Sequence, residues 1–175
     1  MQIRQANTED AESIKQVYLQ AFDVAEAELV SDLAVNLLRE NQAEKILSYV
    51  AIEDNKIVGN ISFSPVCYKS ANEHFAYILA PLAVAPKYQK NKIGSSLVQH
   101  GLDVISAMGS FVIFVYGDPR YYSRFGFKTE LGKKFIPPYT LEYPEGWHAL
   151  LLNSADILQG GTISCVESLN NEKLW

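Results

Sequence analysis

Cysteine is scarce in this chain: Cys67 and Cys165 are the only two among 175 residues. They lie far apart, each in a strand-like segment, and read as buried free thiols rather than a disulfide framework. No CxxC or HxxxH spacing exists, so no zinc signature is written here and no metal is expected. The phosphate-loop pattern GxxxxGKS or GxxxxGKT is missing, which excludes a P-loop NTPase, and there is no GxGxxG dinucleotide fingerprint. The longest apolar run, residues 75–86, is broken by Pro81 and is too short to span a bilayer. The opening MQIRQANTED lacks the apolar stretch of a secretory leader, so a cytoplasmic location with no membrane partner is expected. Positive charge is also short, with 15 Lys and Arg against 20 Asp and Glu. The resulting net charge of −5 argues against a broad nucleic-acid surface. Internal repeats and low-complexity tracts are absent.

What remains is an ordinary globular composition, 48% apolar and 20% charged, long enough to bury a core as one domain over residues 1–175. Residues 2–6 read as a strand. Thr8 is the expected N-cap of a helix that carries Ile14, Val17, Tyr18 and Phe22 at helical spacing. Leu29, Val30, Leu33, Ala34, Leu37 and Leu38 mark a second helix, with residues 23–28 expected as a polar, mobile connection. Residues 47–53 and 56–66 are β-rich and joined by Asp54-Asn55, a pair suited to a tight hairpin. A long strand follows over 74–84, where Pro81 cannot donate to a ladder and predicts a bulge or a splayed edge. Ile93, Leu97, Val98, Leu102 and Ile105 make an amphipathic helix that Gly109 is placed to end. Residues 111–116 read as a central strand, and 147–152 and 162–166 as two more, with Gly160-Gly161 turning between them.

The stretch Leu82-Ala83-Val84-Ala85-Pro86-Lys87-Tyr88-Gln89-Lys90-Asn91-Lys92-Ile93-Gly94 runs from a strand through a basic turn into a helix start. The first turn of a helix offers unpaired N–H groups and the positive end of its dipole, which together favour an anion. Lys87, Lys90 and Lys92 alone would suit a solvated turn; their place before the helix points to an anionic ligand. Further on comes Gly117-Asp118-Pro119-Arg120-Tyr121-Tyr122-Ser123-Arg124-Phe125-Gly126-Phe127, where Asp118 and Pro119 suit the N-cap and first position of a short helix.

Together these two segments resemble the acetyl-CoA-binding core of the GNAT acyltransferase superfamily. Its turn reads Gln or Arg, two variable residues, Gly, one variable residue, then Gly or Ala. Here Gln89-Lys90-Asn91-Lys92-Ile93-Gly94 keeps the spacing, with Lys92 in place of the first glycine. Lysine fits a left-handed backbone poorly, but its ammonium adds a charge for a phosphate, and we prefer the second consequence. The short Gly117-Asp118-Pro119 start, the Tyr-Tyr-x-Arg-Phe-Gly-Phe run, residues 147–152 and Gly161-Thr162-Ile163 are similar to a bacterial branch of predicted N-acetyltransferases. The resemblance is strongest over residues 74–127 and looser elsewhere, with C-terminal strands about 147–166.

The resemblance implies an α/β, three-layer GNAT-type fold, a mixed central β-sheet flanked by helices, with strands 4 and 5 splayed. It implies acetyl-CoA as co-substrate and transfer of the acetyl group to a primary amine by direct attack. Leu82, Ala83 and Val84 would hold pantetheine, and Gln89, Lys90, Asn91, Lys92, Ile93, Gly94 and Ser95 the pyrophosphate. Tyr122, four residues before Gly126-Phe127, takes the place of the superfamily's acid for the leaving thiolate, and a rotated helix would put Tyr121 there instead. The general base stays open among Glu73, His74 and Glu28. His100 reads as a surface residue and His148 as ambiguous. Two rivals stand beside the enzyme: a non-catalytic acyl-CoA-binding or regulatory module, and an acyltransferase using a longer acyl-CoA. The acceptor, a small molecule or a peptide amine, would meet residues 23–28, 66–73 and 133–145. Glu26, Glu28, Tyr139, Glu142 and Tyr143 there suit a cation as well as they suit solvated loops. Oligomeric state is open, a homodimer among the alternatives.

Overall fold

The computed structural model describes residues 1–68, 74–110, 112–152 and 160–175. Its elements are β1 (Gln2–Gln5), α1 (Ala11–Ala21), α2 (Val24–Glu44), β2 (Leu47–Glu53), β3 (Lys56–Tyr68), β4 (His74–Val84) and α3 (Ile93–Ala107). Then follow β5 (Val112–Tyr116), α4 (Pro119–Tyr122), α5 (Thr129–Gly132), β6 (Phe135–Ile136), β7 (Trp147–Leu151) and β8 (Gly161–Ser164). The strand order is β1-β2-β3-β4-β5-β7, with β8 beside β3 and β6. The sheet is mixed: β1/β2, β2/β3 and β5/β7 are antiparallel, whereas β4/β5 is parallel. The chain forms two compact units, Met1–Phe63 with Ala80–Leu102 and Ser64–Leu79 with Asp103–Trp175.

In the first unit the alternation of side chains along the strands assigns the helices to faces. Val50 lies opposite Asn60 in the β2/β3 register and joins a cluster with Ile14, Val17 and Tyr18 of α1 and Ala34 and Leu38 of α2. The intervening face carries Gly59, Ile61 and Phe63, and against it lies α3. A Cβ on Gly101 would fall 2.0 Å from Phe63 Cε2, and one on Gly59 would fall 3.1 Å from Leu97 Cδ1. The two glycines therefore let α3 approach β3 closely. The hairpin between β2 and β3 turns at Asp54 (φ 48°) and Asn55 (φ 60°), both left-handed as a two-residue turn of this kind requires.

One feature of this core carries no apolar signal. Tyr18 donates to Asn60 Oδ1 at 2.9 Å, and Asn60 Nδ2 donates to Ser48 Oγ at 3.1 Å and the Tyr49 carbonyl at 2.9 Å. Ser62 donates to Ser48 at 3.1 Å. Each of these four side chains thus has a partner within the network, which removes most of its desolvation cost.

The second unit is built on aromatics. Phe114 of β5 stacks on Trp147 of β7 with ring planes 3° apart and meets Phe135 of β6 edge-on at 4.9 Å. Trp147 Nε1 donates to the Phe135 carbonyl, and Trp175 packs on Trp147 at 6.0 Å. The parallel register of β4 with β5 covers only Ala76–Leu79 against Val112–Val115. Pro81 follows two residues later and has no N–H to offer a ladder.

Several expectations are corrected. The N-cap at the start of the first helical segment is Asn7, not Thr8. Asn7 Oδ1 accepts from the Glu9 N–H, and Asp10 returns a bond to the Asn7 N–H, both at 2.9 Å. This capping box needs its carboxylate at the third helical position, and only a cap at residue 7 puts Asp10 there. Residues 23–28 are not a mobile connection: α2 starts at Val24, and the Glu26 and Ala27 N–H groups bond the Asp23 carbonyl. Gly161 does not turn the chain but opens β8, paired with Phe135. The short α5 and β6 were not expected. Phe111 lies outside the described residues.

Candidate functional site

In the first unit β4 ends at Val84 and the Ala85 N–H makes a last bond to the Val58 carbonyl at 2.9 Å. A tight turn over Pro86–Tyr88 follows, and Gln89 folds back so that its Nε2 donates to the Val84 carbonyl at 2.9 Å. Lys90 (φ 64°) and Lys92 (φ 63°) are both left-handed. The backbone conformation that a glycine would adopt freely is thus present, held by two lysines. The first bond of α3 runs from the Ser96 N–H to the Lys92 carbonyl at 2.9 Å. The N–H groups of Ile93, Gly94 and Ser95 precede it and have no intrahelical acceptor. No acidic side chain sits in this first turn to compete for them. Lys87, Lys90 and Lys92 are exposed, and among the described residues none of them pairs with a carboxylate. Leu82 and Val84 are half-buried while Ala83 is buried in the α1–α2 cluster. The turn and the strand end therefore form one continuous patch, basic outside and rich in free N–H groups.

His100, on α3, is half-buried and packs edge-on against Tyr49 at 4.6 Å. Burial pushes the Tyr49 phenol up. Glu28 is exposed and paired with Lys15 at 3.6 Å, a contact Lys15 shares with Asp32 at 3.0 Å. Glu73 lies outside the described residues, and His74 opens β4.

In the second unit Asp118 caps α4. Its Oδ1 accepts from the Arg120 N–H at 2.8 Å, and Pro119 takes the first position. The Arg120 guanidinium, more than the backbone bond, holds the Asp118 carboxyl below the usual carboxylate range. Tyr122 is 9% exposed, with Tyr121 edge-on at 5.0 Å and Phe127 at 5.8 Å. Its ring lies against Gly117, where a Cβ would fall 2.6 Å from Cε2. Its hydroxyl makes no hydrogen bond among the described residues, and burial pushes the phenol far above its ordinary range. A buried aromatic kept only for packing would be expected to satisfy its hydroxyl. Tyr121 differs: it is half-buried, and Arg124 lies over its ring at 4.5 Å and bonds its carbonyl at 3.1 Å.

On β7, His148 is 1% exposed. Its Nδ1 is 2.7 Å from the Gly146 carbonyl, and Nε2 is buried with no partner among the described residues. The sequence left its role open, since a lone histidine opening a strand carries no pattern. In the sequence Gly117 marks only a shortened helix start, and nothing there signals that a ring rests on it. Cys67 and Cys165 are half-buried and form no disulfide; burial, and then the neighbouring Cys67, push the Cys165 thiol up to about 12. Among the described residues no group of three or more His, Cys, Asp or Glu is placed to hold a metal. No helix among them is long and apolar enough to cross a membrane.

Residues 82–84 and 89–95 are thus brought together in the first unit, and Tyr122 stands in the second. Comparison with known proteins bears on both. Residues 44–129 match the family model described as an acetyltransferase (GNAT) domain. The uncharacterized N-acetyltransferase YjhQ of Escherichia coli K12 is 33% identical over 162 residues, which cover 90% of this chain and 88% of that protein. The structure of the GNAT family N-acetyltransferase YhbS from Escherichia coli in complex with CoA superposes with a TM-score of 0.78 at 29% identity, covering 97% of this chain and 92% of that one. A GNAT family acetyltransferase from Brucella melitensis in complex with acetyl-CoA gives 0.74 at 28% identity, covering 97% of both chains.

Proposed function

The chain belongs to the GNAT family of acetyltransferases, and from that premise we propose that it moves the acetyl group of acetyl-CoA to a primary amine by direct attack. The observation that carries this reading is the open first turn of α3 behind two left-handed lysines. The Ile93, Gly94 and Ser95 N–H groups suit the pyrophosphate, with Lys90, Asn91 and Lys92 around it. Gln89 contributes by bracing the turn on Val84. Backbone groups of Leu82, Ala83 and Val84, beyond the paired span of β4 that ends at Leu79, would take the pantetheine amides and help polarise the thioester carbonyl.

The thioester supplies an activated acyl carbon. As the amine nitrogen bonds to that carbon the C–S bond breaks, and the departing sulfur needs a proton. Tyr122 is the group we assign to give it. Burial keeps the phenol protonated through the neutral range, and its hydroxyl bonds no other group among the described residues. Tyr121, covered by Arg124, is the poorer donor. The proton lost by the amine goes to solvent or to a base that we leave unassigned. Membership of the bacterial branch with the Gly117-Asp118-Pro119 start, and a cytoplasmic setting, belong to the same reading.

The test is release of CoA thiol from acetyl-CoA across a panel of polyamines, amino sugars and lysine- and amino-terminal peptides. Turnover with at least one amine, reduced about 10²-fold in kcat by Tyr122→Phe, supports the enzyme and its acid. Saturable CoA binding with no thiol release from any amine would favour a non-catalytic acyl-CoA-binding module. Faster turnover with a longer acyl-CoA would change the donor while keeping the mechanism.

A further inference from the structure

We propose that His148 is a positioning residue for Tyr122, acting through the Gly146 carbonyl and the backbone of Gly117, a role that rests on Tyr122 being the acid assigned above. His148 lies on β7 opposite Val115 of β5, almost wholly buried. A carbonyl oxygen only accepts, so the 2.7 Å approach of Nδ1 to the Gly146 oxygen puts the proton on Nδ1. Nε2, on the other side of the ring, is buried and meets no group among the described residues.

The same Gly146 oxygen accepts the Gly117 N–H at 2.9 Å. One carbonyl therefore ties the His148 ring to the backbone on which the Tyr122 ring rests, within 2.6 Å of the space a Gly117 Cβ would fill. The Gly146 turn is itself held from behind. The Tyr143 N–H donates to the Tyr116 hydroxyl at 2.8 Å, and the Gly146 N–H bonds the Tyr143 carbonyl at 2.8 Å. Gly146 also lies close against Tyr116, its missing Cβ 2.9 Å from Tyr116 Cε2. All of these groups belong to the second unit.

A histidine is a poor choice for stability alone at this place. Its unmet Nε2 costs free energy that an apolar side chain of like volume would not. What histidine supplies and an apolar residue lacks is the Nδ1–H that fixes the Gly146 oxygen. With that donor removed, the Gly146 carbonyl keeps only its bond from the Gly117 N–H, and the loss of the second tie shifts Gly117 and with it the seat of the Tyr122 ring.

Three variants separate the atoms involved. His148→Asn keeps a donor near the Nδ1 position, His148→Gln carries its amide out toward Nε2, and His148→Leu has neither. Selective ring-¹³C tyrosine spectra and imidazole ¹⁵N spectra need no acyl acceptor. They are expected to show the Nδ1–H tautomer in the wild type and a displaced Tyr122 signal in His148→Leu and His148→Gln, restored by His148→Asn. An Nε2–H tautomer, or a Tyr122 signal unmoved in a folded His148→Leu protein, overturns the proposal. With any amine turned over, His148→Leu is expected to lower kcat about tenfold with the KM for acetyl-CoA unchanged, and to have no further effect in a Tyr122→Phe background. Additive losses would overturn the coupling even with Tyr122 confirmed, whereas a Tyr122→Phe protein of undiminished kcat would remove the acid and this role with it.

Discussion

Gln89 and Val84 close the turn between β4 and α3: the Gln89 amide nitrogen donates to the Val84 carbonyl at 2.9 Å. The side chain in the family's Gln-or-Arg position thus braces the backbone instead of reaching outward. Gln89→Leu removes one solvent-accessible neutral hydrogen bond, worth about 1 kcal/mol. Acetyl-CoA affinity should fall about fivefold in calorimetry, with little change in the thermal midpoint, because the brace orders the turn and not the core.

Lys92 gives a second test because its backbone and its charge act in opposite directions. At φ 63° it bears a left-handed strain of about 1 kcal/mol that glycine does not. Lys92→Gly should therefore raise the thermal midpoint by about 3 °C. The same variant should bind acetyl-CoA more weakly at low salt and lose part of the salt dependence, since one cation is gone. Thermal unfolding and titrations at two ionic strengths check both signs.

Gly101 tests the packing that fixes α3 on β3. A Cβ there would fall 2.0 Å from Phe63 Cε2, and both groups are held by regular structure. Gly101→Ala should destabilise the protein by about 1–3 kcal/mol in urea unfolding, despite alanine's better helix propensity.

The Arg4–Asp10 pair sets an acid limit on stability. Arg4 donates twice to Asp10, at 2.7 and 2.8 Å, and holds the carboxyl below its usual value against the opposing effect of burial. A carboxyl depressed in the folded state stabilises it above the ordinary value of about 4 and loses that contribution as pH falls through the folded value. Arg4 is partly exposed, so the contribution is modest, about 1 kcal/mol. Stability measured between pH 6 and 3 should decline less steeply in Asp10→Asn than in the wild type, starting from a lower plateau.

Much of this architecture is legible wherever local chemistry and tertiary packing agree. Asp54-Asn55 suits positive φ at both positions, and Asp118-Pro119 suits a cap and a first helical residue; both elements form as their sequence suggests. The periodicity of α3 likewise survives folding. Sequence fails where a partner remote in the chain decides. Asn7 rather than Thr8 caps because Arg4 and Asp10 meet there, and Asn60 is buried because Tyr18, 42 residues away, needs its amide. The acidic residues after Asp23 look like a loop but lie on the first turns of α2, where carboxylates suit the dipole. At the turn before α3 the glycine position taken by Lys92 points to a left-handed residue, yet nothing in the sequence announces a second one at Lys90. The tie from His148 to Gly117 is invisible for the same reason, since it passes through a carbonyl that every residue has.

Calorimetric titration of the protein with acetyl-CoA, beside a Ser95→Glu variant, bears most directly on the phosphate turn. A glutamate at the third position of α3 favours the helix through its dipole and capping geometry but places a carboxylate where the pyrophosphate is assigned. The wild type should bind saturably at one site, and Ser95→Glu should keep or raise the thermal midpoint while losing at least about tenfold in affinity. Equal binding by both proteins, or no binding by the wild type, would contradict the assignment of this turn to acetyl-CoA.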